Sequence, residues 1–201
     1  MHVEGAYIHD LRSLNLDTAD RTGYQGMWRL DYNTRHTGNP YPTHGLGPVC
    51  QILGIHRGDR MERLVSLSTA QRGLTLAARE KFGPDSQWAQ RDYRLGDMNT
   101  TLIRTARGKT ILIQHDVTSP RPYNRLHTIS GTKGFAQKYP VETIALDPNA
   151  HAPLPERQRD NLLSIYEHPI PREIGEKARE VGGHGGMDFI MDYRLVYCLQ
   201  H

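Results

Sequence analysis

The sequence predicts an α+β fold: an open, largely antiparallel β-sheet with helices on one face. Two observations support it. From Asp97 to Asp147 apolar and polar residues alternate in short runs separated by turn residues, which is a contiguous block of strands. Ahead of that block stand a strand, a helix and a second strand-and-helix pair, and behind it come helix-period segments bounded by proline and glycine.

In order, "HVEGAYIHD" alternates and reads as the first strand, followed by a polar connection over residues 11–37 in which only "MWRLDY" promises order. A helix then begins in "GNPYPTHGLGPVCQILG". Pro42 suits its first turn, Leu46, Val49, Cys50 and Leu53 fall at i, i+3, i+4 and i+7, and Gly54 stops it. "MERLVSLST" is a strand, and "GLTLAAREKFG" a short helix ended by Gly83-Pro84. "DMNTTLIRTA" and "TILIQHDVTS" form a hairpin about the "RGK" turn, and "NRLHTISGTKGFAQKYPVETIALD" adds three strands, the first two joined by the Gly131–Gly134 turn. Three helices close the chain: "PERQRDNLLSIYEHP", "IPREIGEKAREVGG" and "GGMDFIMDYRLVYCLQH". The last places Met187, Ile190, Met191, Leu195 and Cys198 on one face.

With 201 residues the chain is read as one domain spanning 1–201. A strand at the very start and a last helix without a C-cap suggest a piece of a longer protein, cut at both ends. Lys and Arg number 25 against 22 acidic residues and form no stripe, so a nucleic-acid partner is not expected. Mean hydropathy is −0.64, and no run approaches the roughly 18 apolar residues of a membrane span. The N-terminus lacks the pattern of a secretory signal, and compartment cannot be read. Cys50 and Cys198 lie in apolar helical patterns and are expected as two buried free thiols.

Eleven histidines raise the question of a metal, but no HxH, HExxH or HxxxH pair stands on a plausible element, so no metal is expected. GxSxG, P-loop and strand-following GxGxxG motifs are absent too. What remains is a set of loop positions. His44 lies near a helix N-terminus, where the dipole favours neutral imidazole and hence a base, and Tyr41 projects from the same turn. Capping by His44 and packing by Tyr41 explain them equally well. "TSPRPYN" fixes Arg121 and Tyr123 in a proline-bounded loop, or is an ordinary turn. "GGHGGMD" presents His184 and Asp188 at a helix start, where the glycines allow close ligand approach or simply a hinge. Arg29 of "MWRLDY" can grip an anion or sugar hydroxyls, or pair with a surface carboxylate.

Taken together, "EGAYIHDLR", "MWRLDYNTRHTGNPYPTHGLGPV", "IHRGDRMERLVSLST", "HDVTSPRPYNR" with "ISGTKG", and "GHGGMDF" resemble, in order and spacing, the C-terminal part of the NAD-dependent glycosidases of glycoside hydrolase family 109. That family is typified by an α-N-acetylgalactosaminidase and belongs to the glucose-fructose oxidoreductase/inositol dehydrogenase superfamily. The resemblance implies that Tyr7, Arg29, the run Tyr41, Pro42, Thr43 and His44, and Tyr123 line a sugar pocket, with Tyr41 and His44 beside the nicotinamide of NAD. It implies His44 as base for the C3 hydroxyl, Tyr7 or Tyr123 as base for the C2 proton, and Tyr41 within the catalytic group. His9, His184 and Asp188 are further candidates. The N-terminal nucleotide-binding (Rossmann) domain of the family has no counterpart in this sequence, which would leave the isolated chain inactive. A sugar dehydrogenase of the same superfamily, or a non-catalytic module for sugar binding or for homo-oligomer pairing through the open sheet face, are the rival readings.

Overall fold

A computed structural model describes residues 1–18 and 24–201. The chain divides into two compact units, Met1–Pro153 and Leu154–His201.

The first unit is built on a seven-stranded sheet: β1 (His2–Ile8), β2 (Met61–Ser68), β3 (Met98–Thr105), β4 (Thr110–Asp116), β5 (Asn124–Ser130), β6 (Gly134–Gln137) and β7 (Thr143–Leu146). Their order is β2-β3-β4-β1-β5-β6-β7, antiparallel at every pairing except β1 with β4. The predicted strands and the open, mostly antiparallel sheet are therefore present. The departure from a simple contiguous meander is β1, which inserts between β4 and β5 and runs parallel to β4.

Four helices belong to this unit: α1 (Arg12–Asn15), α2 (Trp28–Arg35), α3 (Thr43–Leu53) and α4 (Gly73–Phe82). The connection expected to hold little order thus carries α1, a 3-10 turn at Gln25–Met27 and α2; Leu16 and Leu30 anchor it in an apolar cluster with Leu74, Ala78, Ala89 and Tyr93 of and around α4. Helix α3 lies across β1. Its Val49 and Leu53 close on Val3, Ile103, Ile111 and Ile113, which the strand register puts on one side of the sheet. The other side remains open toward the edge, where Val65 and Leu67 are 55% and 72% exposed.

The crossing of α3 over β1 needs two glycines. A Cβ on Gly45 would stand 2.6 Å from the Ala6 nitrogen and 2.8 Å from the Gly5 carbonyl carbon, and one on Gly5 would strike the Gly45 carbonyl. Two backbones touch here, so neither residue can carry a side chain. Gly47, two residues along on the opposite side of α3, has nothing but its chain neighbours within 4 Å of the same construction and plays no such part.

The second unit consists of α5 (Glu156–Ile165), α6 (Pro169–Val181), a 3-10 turn at His184–Gly186 and α7 (Met187–Gln200). The apolar stripe expected on α7 is not a buried face: Met187, Met191 and Leu195 are all more than half exposed. Cys198 is exposed on that helix and Cys50 of α3 is half-buried. Both thiols are free as expected, but neither is buried.

Candidate functional site

Strand β1 and the first turn of α3 bring the chemistry together. Tyr7 points to the α3 side of the sheet two residues after Gly5, and His44 immediately precedes Gly45, so the backbone contact fixes one ring over the other. The Tyr7 and His44 ring centres are 4.8 Å apart and edge-on; Tyr41 lies 5.0 Å from Tyr7 and 4.9 Å from His44. Tyr41 is set by its neighbours in sequence, since its backbone N–H donates to Asn39 Oδ1 at 3.0 Å and Pro40 and Pro42 flank it. Pro42 is the N-cap residue, with its carbonyl accepting from the Gly45 and Leu46 N–H groups, so Thr43 and His44 form the first helical turn.

Pro48 lies inside α3. Having no N–H, it cannot bond the carbonyl four residues back, which is that of His44. That carbonyl instead accepts from His127 Nε2 at 3.1 Å. His127 reaches it from a bulge in β5: the register of β1 on β5 slips around Gly5, and Leu126 and His127 both have positive φ, 59° and 52°. Two consecutive non-glycine residues in this region store strain of about 1–3 kcal/mol each, as occurs where a backbone must aim a side chain. Burial holds His127 neutral more readily than usual, helped by Arg125 and Lys138 and opposed by its bond to the His44 carbonyl.

Around this centre lie the remaining rings. Tyr7 Oη pairs with His9 Nδ1 at 3.1 Å, and the His9 ring meets that of Tyr123 edge-on at 5.1 Å. Desolvation pushes Tyr7 up to about 12; the neighbouring Tyr24 and Tyr41 act the same way and Arg29 opposes them, so Tyr7 stays protonated at neutral pH. Burial also lowers His9, with Arg125 adding to it and Asp10 opposing. Tyr123 is 39% exposed on the loop between β4 and β5, and Arg125 donates from Nε to its oxygen. Asp116 fixes the start of that loop by accepting from the Thr118 and Ser119 N–H groups at 3.1 and 3.0 Å.

Arg29, on the first turn of α2, donates to Tyr24 Oη at 2.7 Å, and its guanidinium lies over the rings of Tyr24, Trp28 and Tyr41 at 4.2, 5.2 and 5.5 Å. Next to Tyr41 opens a cavity of about 220 Å³, lined by Trp28, Arg29, Tyr32, Asn33, Tyr41 and His115 with apolar wall from Pro40, Leu95 and Val117. Val117 also packs with Tyr7 and Tyr41, so ring cluster and cavity share a wall.

Tyr7, Arg29, Tyr41, His44, Tyr123 and the further candidate His9 are therefore assembled in one place. His184 and Asp188 belong to the second unit, where His184 Nδ1 and Asp188 Oδ2 form an exposed pair at 2.9 Å at the start of α7. Sequence reasoning overlooked His115 and His127. His115 pairs with Tyr7 across the parallel β1–β4 ladder, is 3% exposed and is driven down to about 4 by burial, with Arg29 adding to it and Asp116 opposing. Its face was legible, for it continues the alternation Ile111, Ile113, His115. His127 had a fainter signal: Leu126 and Ile129 are three apart, a break in period two that marks a bulge.

Among the described residues no helix is long and apolar enough to cross a membrane, and no three His, Cys, Asp or Glu side chains converge as a metal ion would need.

Comparison with known proteins gives this geometry a family. The model of the glycosyl hydrolase 109 C-terminal domain matches residues 1–201. An α-N-acetylgalactosaminidase of Bacteroides fragilis is 56% identical over 200 residues, covering 100% of this chain and 47% of that protein. A glycosyl hydrolase family 109 protein of Porphyromonas gingivalis is 46% identical over 215 residues, covering 100% of this chain and 44% of that one. The chain thus spans about half the length of these curated relatives. Among solved structures, an inositol dehydrogenase homologue of Azotobacter vinelandii complexed with NAD+ aligns over 74% of this chain and 34% of its own, at 15% identity and a TM-score of 0.46.

Proposed function

Because the chain belongs to the glycosyl hydrolase 109 C-terminal domain family, we propose that it forms the substrate-facing part of an NAD-dependent glycosidase acting on terminal α-N-acetylgalactosaminides. The observation that carries this reading is the mutual contact of Tyr7, Tyr41 and His44 at the strand–helix crossing. A conventional glycosidase needs two opposed carboxylic acids, whereas this centre is histidine and tyrosine. Such a set suits a route in which the sugar is oxidised at C3, loses its C2 proton and C1 substituent, takes up water and is reduced again at C3.

NAD, when bound, would supply the oxidising and reducing equivalents of that route. The residues present fit one end of it. Tyr41 and His44 are half-buried aromatic edges suited to a flat nicotinamide ring, while β1 leads into Asp10 and α1 rather than into a glycine-rich turn that could cradle a pyrophosphate. The pyrophosphate would then be held by residues outside this chain.

Within the chain, His44 accepts the proton of the C3 hydroxyl. Tyr7, protonated at neutral pH, suits donation to substrate oxygen, with His9 behind it. The Arg125 hydrogen bond to the Tyr123 oxygen, a cation beside the phenol, supports Tyr123 over Tyr7 for taking the C2 proton. The test is turnover of 4-nitrophenyl α-N-acetylgalactosaminide by the intact enzyme carrying this domain. Nitrophenol should appear without net NADH, and His44→Ala should lower kcat by about 10²–10⁴. Sustained NADH accumulation would replace the glycosidase with a sugar dehydrogenase, and an unchanged kcat would remove His44 from the mechanism.

A further inference from the structure

The motif "IHRGDR" has no part in the ring cluster, since it follows the C-terminal end of α3 and His44 stands in the first turn of that helix. Its fold is built around a buried carboxylate. The Asp59 side chain is 1% exposed; Oδ1 accepts from the Arg60 N–H at 2.9 Å and from the Arg107 N–H at 3.2 Å, and Oδ2 forms an ion pair with Lys109 Nζ at 3.2 Å. Arg60 precedes β2, whereas Arg107 belongs to the turn between β3 and β4. The Ala106 N–H joins the same two segments by donating to the Arg60 carbonyl at 2.9 Å. One carboxylate therefore clamps two turns together, and each turn carries an arginine. The first turn is pinned again by the His56 N–H, which donates to the Asp59 carbonyl at 2.7 Å while His56 keeps a left-handed φ of 63°. An open cavity of about 400 Å³ lies here, lined by His56, Gly58, Asp59, Arg60, Ala106 and Arg107.

The charges around this cavity do not cancel. Asp59 is matched by Lys109, whose Nζ also donates to the Leu53 carbonyl at 3.0 Å, and the next carboxylate along the chain, Glu62, is taken by Arg104 at 3.0 Å. The guanidinium groups of Arg60 and Arg107 have neither an ion pair nor a hydrogen bond among the described residues, and the His56 imidazole is likewise unpaired. All three residues are exposed, so their side chains are free to turn over the cavity that their backbones line. Of the lining residues only Ala106 offers an apolar side chain, which leaves nothing to receive the body of a hydrophobic ligand. Two guanidinium forks rooted on separate turns, with an imidazole as a third donor, complement an anion that presents several oxygens in different directions. A tetrahedral oxyanion does so, whereas a planar carboxylate fills only one fork.

We propose that this cavity binds a tetrahedral oxyanion, a phosphate or sulfate group that is free or esterified to a sugar, and that Arg60 and Arg107 hold it. The site stands whether or not the chain serves a glycosidase, because none of its residues belongs to the ring cluster.

The test is an NMR titration of the intact protein carrying this domain, labelled with 15N-arginine, at fixed ionic strength. Inorganic phosphate, inorganic sulfate and galactose 6-sulfate are added separately, with chloride as the reference anion. The Arg60 and Arg107 signals should move saturably with the oxyanions and not with chloride. Arg60→Gln and Arg107→Gln should each raise the dissociation constant about tenfold to a hundredfold, because each removes a charge-assisted contact. Both side chains are exposed and unpaired, so these variants keep the fold. Arg63→Gln, an exposed arginine of β2 outside the cavity, should bind as wild type does. Galactose 6-sulfate binding at least about tenfold tighter than inorganic sulfate assigns the site to a sugar ester, and equal binding assigns it to the free anion. Shifts that chloride reproduces, no saturable shift up to about 20 mM oxyanion, or equal affinity in wild type and both cavity variants would overturn the proposal.

Discussion

Replacing Gly45 by alanine tests the contact on which the site is built. The added Cβ would lie 2.6 Å from the Ala6 nitrogen, where ordinary contact begins near 3.4 Å, so α3 must retreat from β1 by about 0.8 Å. The obstructing atoms are backbone on a central strand and cannot swing aside, which puts the overpacking cost at the upper end of its range, about 3 kcal/mol. Alanine returns about 1 kcal/mol of helix propensity, for a net loss of about 2 kcal/mol and a fall in Tm of roughly 4–8 °C. The same retreat carries His44 away from Tyr7, and misplacement approaching 1 Å costs catalysis on the order of 10². Melting followed by circular dichroism, with turnover measured on the folded enzyme, reads both effects. Gly47→Ala is the control: that glycine is exposed and its Cβ would meet nothing within 4 Å beyond its chain neighbours. The gain of about 1 kcal/mol in helix propensity is offset by the contact of the new Cβ with the Pro48 ring, and the change should leave Tm within about 2 °C of wild type and kcat alone. A Gly45→Ala protein that melts no lower than wild type and keeps its activity would refute the close-contact account.

Two further outcomes follow from the buried histidines. His115 is depressed in the fold to about 4 from 6.5, so the unfolded chain takes the proton first. Its contribution is complete above pH 6.5 and is lost as pH falls toward 4, on the order of 3 kcal/mol in all. Urea unfolding midpoints should decline over that window and decline less in His115→Gln; an equal decline in both proteins would assign the acid sensitivity elsewhere. His127→Ala removes the donor to the His44 carbonyl and should cost about 1 kcal/mol of stability, but it should also lower kcat about tenfold with KM little changed. His127→Gln, which can still offer an N–H, should restore much of kcat, whereas a purely structural role predicts that kcat simply follows stability.

The relation between sequence and structure differs from element to element. The seven strands and the helices from α3 onward could be read from period and punctuation, because burial of one face imposes period two or 3.6 on the residues themselves. The segment over 11–37 was underestimated, since α1 and α2 are short and are held by Leu16 and Leu30 in a shared cluster rather than by their own amphipathic pattern. For α7 the reverse happened: a helical stripe was present, but a stripe states which residues share a face and not whether anything covers it. Arg29, Tyr41, His44 and Tyr123 stood out as loop positions, and the family resemblance joined Tyr7 to them, while His115 and His127 left only a trace in the strand periodicity and acquired neighbours once β1, β4 and β5 were placed side by side.

By itself, then, the sequence determined the element types and the helix start at Pro42-Thr43-His44, with a tyrosine and a histidine at that start. These are local properties, written in propensity, periodicity and residue chemistry. Only the tertiary structure decided that β1 runs parallel between β4 and β5, that Gly5 and Gly45 touch, and that the carbonyl released by Pro48 is taken by His127. Each of these joins residues dozens of positions apart. A strand's hydrogen-bonding edges look alike whichever neighbour they meet, and a glycine shows that something comes close without showing what.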